Sequence, residues 1–125
     1  MNIRTGSCLC GAVAYRVEGE PLRTGLCHCA DCRKSSGSAF TFFAVWPRRL
    51  AFSHNGEIAT FAGRSFCPAC GSRLFCLRDD EAEIRLGSLD TPPTDLAPGY
   101  EIWIKRREPW LHPLPGAGQY AEDAD

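Results

Sequence analysis

Cysteine thiols are the groups in this sequence best suited to chemistry. Eight occur in 125 residues, and seven of them fall into three tight clusters. These are Cys8-Leu9-Cys10-Gly11, Cys27-His28-Cys29-Ala30-Asp31-Cys32 and Cys67-Pro68-Ala69-Cys70-Gly71; Cys76 stands apart. Clustered thiols either cross-link by oxidation or bind a soft metal as thiolates. The opening segment, Met1 to Ser7, has no apolar run of the secretory kind, so the expected compartment is the reducing cytosol, where dense cysteines more often bind metal or react. Disulfides would allow about 105 pairings of eight cysteines, and no spacing here selects one.

The third cluster reads as a zinc knuckle. A C-x-x-C turn aims two thiolates at one ion, and Gly71 permits the positive φ that turns backbone N–H groups toward sulfur. Two ligands leave a tetrahedron half built. Cys8 and Cys10, two residues apart in an extended segment, can project to one side and supply the other pair. The expectation is a closed structural zinc site of Cys8, Cys10, Cys67 and Cys70, against the alternative of two unrelated pairs of buried or oxidised thiols. The second cluster offers Cys27, Cys29 and Cys32. Three protein ligands and one open position are the pattern of a catalytic zinc, whose fourth place takes water or a thiol. A second structural zinc, closed by Cys76 or a histidine, fits the same count.

The elements that must hold these clusters read mainly as strands. Ala12 to Val17, Ala39 to Trp46, Leu50 to Phe52, Ile58 to Phe61, Arg73 to Leu77, Glu83 to Leu89 and Glu101 to Lys105 are rich in β-branched and aromatic residues. Helix is scarce: Asp31 to Ser35 makes a short turn of it before Gly37 interrupts. With 44% hydrophobic and 23% charged residues, the chain supports one domain with a core. The expected fold class is therefore all-β (mainly β), a single domain with short strands and long loops. It covers residues 1–119, followed by an acidic tail at 120–125 that should fray. No apolar run of about 18 residues offers a membrane span. A net charge of −1 gives nucleic acid little to bind.

The ordered triple C-x-C-G, C-H-C-x-x-C-R-x-x-S-G and C-x-x-C-G-S-x-L-F resembles the glutathione-dependent formaldehyde-activating (GFA) family, which includes centromere protein V. The matching text is Gly6 to Val13, Cys27 to Gly37 and Phe66 to Phe75, supported by Gly87-Ser88-Leu89-Asp90, Ile102-Trp103 and Pro109-Trp110. The resemblance implies a zinc-stabilised β-tent. It implies two Zn²⁺ sites, one structural on Cys8, Cys10, Cys67 and Cys70, and one catalytic on Cys27, Cys29 and Cys32 that can be partly occupied. It further implies a cytoplasmic carbon–sulfur lyase whose partner is a small thiol such as glutathione, with formaldehyde giving S-hydroxymethylglutathione. One position departs from the pattern: Glu101 stands where related sequences often place a histidine before Ile-Trp. If that histidine assists a substrate, this chain acts on another.

The remaining polar residues have plainer readings. His28 should point away from the ion its neighbours share, while His54 and His112 read as surface residues. Cys76 reads as a small buried hydrophobe. Phe40, Phe42, Phe43 and Trp46 belong to the core, with one strand face free to wall a pocket. Ser36, Gly37 and Ser38 either contact a ligand or form a turn. Lys105-Arg106-Arg107 and Arg48-Arg49 read as solvated ends, with an anion as the next reading. An enzyme acting on a thiol and an aldehyde is favoured. The alternative is a non-catalytic zinc-stabilised binding scaffold, and an open three-cysteine site facing a cavity would separate the two.

Overall fold

The computed structural model describes residues 2–124. Met1 and Asp125, the two ends of the expected domain and tail, lie outside the described residues. Among the described residues, eleven strands form two sheets. The smaller is antiparallel and joins β1 (Ile3–Ser7), β2 (Ala14–Glu18) and β5 (Phe52–Asn55) in the order β1-β2-β5. The larger contains β3 (Arg23–Cys27), β4 (Thr41–Pro47), β6 (Ala59–Phe61), β7 (Arg64–Phe66), β8 (Arg73–Leu77), β9 (Glu81–Arg85), β10 (Tyr100–Ile102) and β11 (Gly118–Gln119). Its order is β11-β10-β3-β4-β9-β8-β7-β6, antiparallel except where β10 runs parallel to β3 and β11. Two short helices, α1 (Ala30–Ser36) and α2 (Arg48–Ala51), complete the fold. The mainly-β expectation holds.

Central strand β4 explains how the fold presents a site. Residues alternate between the faces of a strand, and here both faces are covered. Ala44 and Trp46 enter the main core with Val13, Tyr15 and Val17 from the β2 side and Leu74, Phe75, Ala82 and Ile84 from β8 and β9. Phe43 and Val45 face the other way and pack with Cys27, against Cys29, Cys32, Tyr100, Ile102 and Trp103. The buried indole of Trp46 donates to the Gly19 carbonyl at 3.0 Å, so its N–H is not stranded.

Three expected elements differ. Leu50 and Ala51 belong to a helical turn, not a strand: Pro47 ends β4, and the chain turns there to cross to the smaller sheet, with Ala51 buried. Leu86 and Ile104 lie in 3₁₀ turns that follow β9 and β10. Residues 120–124 do not hang free. The Tyr120 and Glu122 carbonyls accept from the Ile104 and Trp103 N–H groups at 3.1 and 3.0 Å. No helix among the described residues is long and apolar enough to cross a membrane.

Candidate functional site

Cys8, Cys10, Cys67 and Cys70 come together from two turns of like construction. Cys8 does not lie in extended chain. It opens a tight turn in which the Gly11 N–H reaches the Cys8 carbonyl at 3.1 Å and the Val13 N–H reaches the Cys8 sulfur at 3.2 Å. Opposite, the Gly71 N–H reaches the Cys67 carbonyl at 2.8 Å. Gly11 and Gly71 close the two turns at φ values of 83° and 79°, which a residue with a Cβ adopts only at a cost. Ser72 joins the halves: its hydroxyl accepts from the Leu9 N–H at 2.9 Å and lies 3.2 Å from the Cys70 sulfur. That hydroxyl and the Ser72 N–H hold the Cys70 thiol down, at about 5.

The four sulfurs lie within 4.8 Å of one another. Cys8 and Cys10 are 3.6 Å apart, Cys10 and Cys67 3.7 Å. A tetrahedron with Zn–S bonds of about 2.3 Å has S···S edges of about 3.8 Å. The donor set and its spacing therefore fit zinc.

Cys27, Cys29 and Cys32 also converge, again within 4.8 Å. Cys27 is the last residue of β3, Cys29 caps α1, and Cys32 lies in its first turn. The Cys29 sulfur accepts from the Cys32 N–H at 3.2 Å, taking the role that serine or aspartate has at most helix starts. The carbonyl of Cys32 accepts from the Ser36 and Thr41 hydroxyls at 2.7 and 3.2 Å, and Gly37 ends the helix at φ 67°. The serine run thus builds the turn, and Ser36 and Ser38 also line a cavity. Neighbouring thiols, with Arg85 beside them, outweigh burial and hold Cys32 at about 5, while Cys27 is pushed up by sharing with Cys32 and by burial. Among the described residues no other cysteine, histidine or carboxylate joins this group. Three soft donors without a fourth suit a zinc with an open position.

The three sulfurs face a cavity of about 350 Å³, walled by Phe43, Arg64, Cys76, Arg85, Ile102 and Trp103. A second cavity, of about 770 Å³, shares Arg64, Cys76 and Arg85 with it and runs on past Phe40, Phe42 and Phe75. Cys76 is therefore half-buried at the meeting of two cavities, not a core residue; its sulfur accepts from the Arg85 guanidinium at 3.4 Å. Trp103 holds a left-handed backbone at φ 58°, rare for a bulky side chain, and its indole donates to Asp123 at 2.8 Å.

His28 turns to the opposite side. It is 1% exposed, and its Nε2 lies 2.8 Å from Glu101. The Leu114 N–H and the Gln119 amide each donate to Glu101 at 2.9 Å. Burial opposes this carboxylate, but these donors, His28 and Arg107 together hold it at about 2. Glu101 lines neither cavity. Arg107, read as solvated, is drawn in against it, 3.5 Å away. His54 and His112 are exposed, as read. Arg64 and Arg85 escaped sequence reasoning, since a single arginine in a strand has no spacing to flag it.

The family model for the glutathione-dependent formaldehyde-activating enzyme matches residues 3–106. Among solved structures, a crystal structure of a Rhodobacter sphaeroides protein, a structural genomics target, is similar in fold. Its TM-score is 0.53 at 22% identity, over 71% of this chain and 91% of that one. No curated protein matches the chain.

Proposed function

The chain belongs to the glutathione-dependent formaldehyde-activating enzyme family, and from that premise we propose that it makes or breaks a carbon–sulfur bond between a small thiol and an aldehyde. The reading names glutathione and formaldehyde, giving S-hydroxymethylglutathione, in the cytoplasm. The observation that carries it is the convergence of Cys27, Cys29 and Cys32 on a cavity, with no fourth protein donor among the described residues.

When bound there, zinc supplies a Lewis-acidic position that lowers the pKa of an incoming thiol. The chain's own residues do the rest. Cys27, Cys29 and Cys32 would hold the ion, and all three line the cavity. Phe43, Ile102 and Trp103 supply apolar lining there. The Arg85 guanidinium, beside Cys32 and Cys76, favours negative charge on sulfur. In the addition, a sulfur lone pair forms the S–C bond and the carbonyl π pair moves to oxygen. The proton lost by the thiol ends on that oxygen. Cleavage of the adduct is the reverse. Cys8, Cys10, Cys67 and Cys70 stand outside this chemistry and serve the fold.

Cobalt substitution tests the reading. Glutathione added to protein carrying two cobalt ions should raise the sulfur-to-cobalt charge-transfer absorption, and the Cys29→Ser variant should not respond. A wild-type protein silent toward every small thiol would make the second site closed and the chain a binding scaffold.

A further inference from the structure

The larger cavity is bigger than a sulfur–carbon bond requires. At about 770 Å³ it has room for a small organic molecule, and it adjoins the three-cysteine cavity, with Arg64, Cys76 and Arg85 lining both. Its lining has two characters. It is lined by the rings of Phe40, Phe42 and Phe75 and by the guanidinium groups of Arg64, Arg73 and Arg85.

Those cations are under-compensated. Arg64 has no carboxylate within 4.0 Å among the described residues, and its Nε is buried without an acceptor. Its one hydrogen bond is donated to the Ala62 carbonyl at 3.2 Å. The side chain of Arg85 is 12% exposed, and its only carboxylate neighbour, Glu83, lies 3.5 Å away. Glu83 is itself shared, lying 3.5 Å from Arg78 as well. Asp90, the one acid lining the larger cavity, is engaged by the Ser7 hydroxyl at 2.6 Å. Partly desolvated guanidinium groups with spare donors are strong carboxylate receptors, because the fork geometry matches two oxygens.

We propose that the larger cavity is a carboxylate-binding chamber, with Arg64 and Arg85 as the anchor and Phe40, Phe42 and Phe75 as the wall for the body of the molecule. The chamber deepens the reading of the three-cysteine site: the part of the substrate remote from the reacting bond sits in it. The carboxylate belongs to the thiol or to the aldehyde, and the two sources are separable.

Calorimetry on the zinc-loaded protein tests this with two pairs of probes. S-methylglutathione, which cannot give a thiolate, is compared with its diester; 4-formylbenzoate is compared with its methyl ester. The expected result is that in at least one pair the acid binds about tenfold more tightly than the ester. The pair that responds identifies the source. In Arg64→Gln/Arg85→Gln the acid should fall to the affinity of the ester, and Arg64→Gln alone should lose part of the preference. Equal binding of acid and ester in both pairs, or no binding by any probe, overturns the chamber; that comparison uses wild-type protein and needs no variant to fold. The response of the cobalt protein to 2-mercaptoethanol, which has no carboxylate, reports on the three-cysteine site alone. Failure of the anchor is thereby distinguished from failure of the site.

Discussion

Cys29 shows how much rests on one sulfur. It caps α1 through the Cys32 N–H and stands with Cys27 and Cys32. Replacing it by serine keeps an acceptor at the helix start, so the fold should survive. Metal analysis of Cys29→Ser should fall from about two zinc per chain to about one, with an unchanged circular dichroism spectrum. Global unfolding of that variant would make the cluster structural. Glu101 carries a second prediction. Its carboxyl is lowered from an ordinary 4.5 to about 2. A lowered acid contributes stability that is fully present above its unfolded pKa and is lost as pH falls through its folded one. The fold should therefore weaken between about pH 4.5 and about pH 2, and Glu101→Gln should weaken the protein at neutral pH while flattening that part of the acid dependence. A Glu101→Gln acid profile superimposable on wild type would refute it. At this scale the seven clustered cysteines were legible because metal ligation imposes spacing. The direction of Glu101 was not, since Gln119 meets it through a parallel pairing of β10 and β11 and Leu114 reaches it from the loop before β11, and neither leaves a local pattern.

Strand β1 illustrates the element scale. It delivers Cys8 to its turn, yet Ile-Arg-Thr-Gly-Ser has little strand-like alternation and was not read as one. Its position comes from pairing with β2, where Gly6 opposes Tyr15. The Tyr15 ring folds over that glycine; a Cβ on Gly6 would lie 2.2 Å from the ring and its hydroxyl. The hydroxyl also lies 2.6 Å from Ser88, so the ring is not free to move aside. Gly6→Ala should destabilise the protein by about 2 kcal/mol or more through overpacking, visible as a lower Tm. An unchanged Tm would show that the ring moves at no cost. β4 was legible throughout because an apolar run flanked by a proline reads as a buried strand. Arg23–Cys27 escaped the same scrutiny because Gly25 interrupts it; the close approach of Tyr100 and Phe43, each ring about 3 Å from a Cβ at that position, accounts for the glycine.

Across the whole molecule, the two groups of converged cysteines sit at different places in the frame. Cys8 and Cys10 follow the smaller sheet, while Cys67 and Cys70 lie between β7 and β8 of the larger. A metal shared by all four would tie the sheets together across a sequence separation of 57 from Cys10 to Cys67, closing a long loop that the unfolded chain would otherwise leave free. Cys67→Ser should leave the protein poorly soluble or largely unfolded, and a variant with the wild-type Tm and full zinc content would contradict that role. The mainly-β class was readable from composition and the cysteine order; the division into two sheets was not, because it depends on the turn at Arg48–Ala51. The second cluster sits on the far face of β4, away from the sheet-to-sheet core, where the proposed carbon–sulfur chemistry would act. The most direct measurement of that action is exchange spectroscopy with ¹³C-labelled formaldehyde and glutathione at equilibrium. The wild-type protein should accelerate transfer of label between free formaldehyde and S-hydroxymethylglutathione well above the uncatalysed rate, and folded Cys29→Ser should not. Equal exchange rates with wild type, with Cys29→Ser and without protein would contradict carbon–sulfur chemistry at Cys27, Cys29 and Cys32.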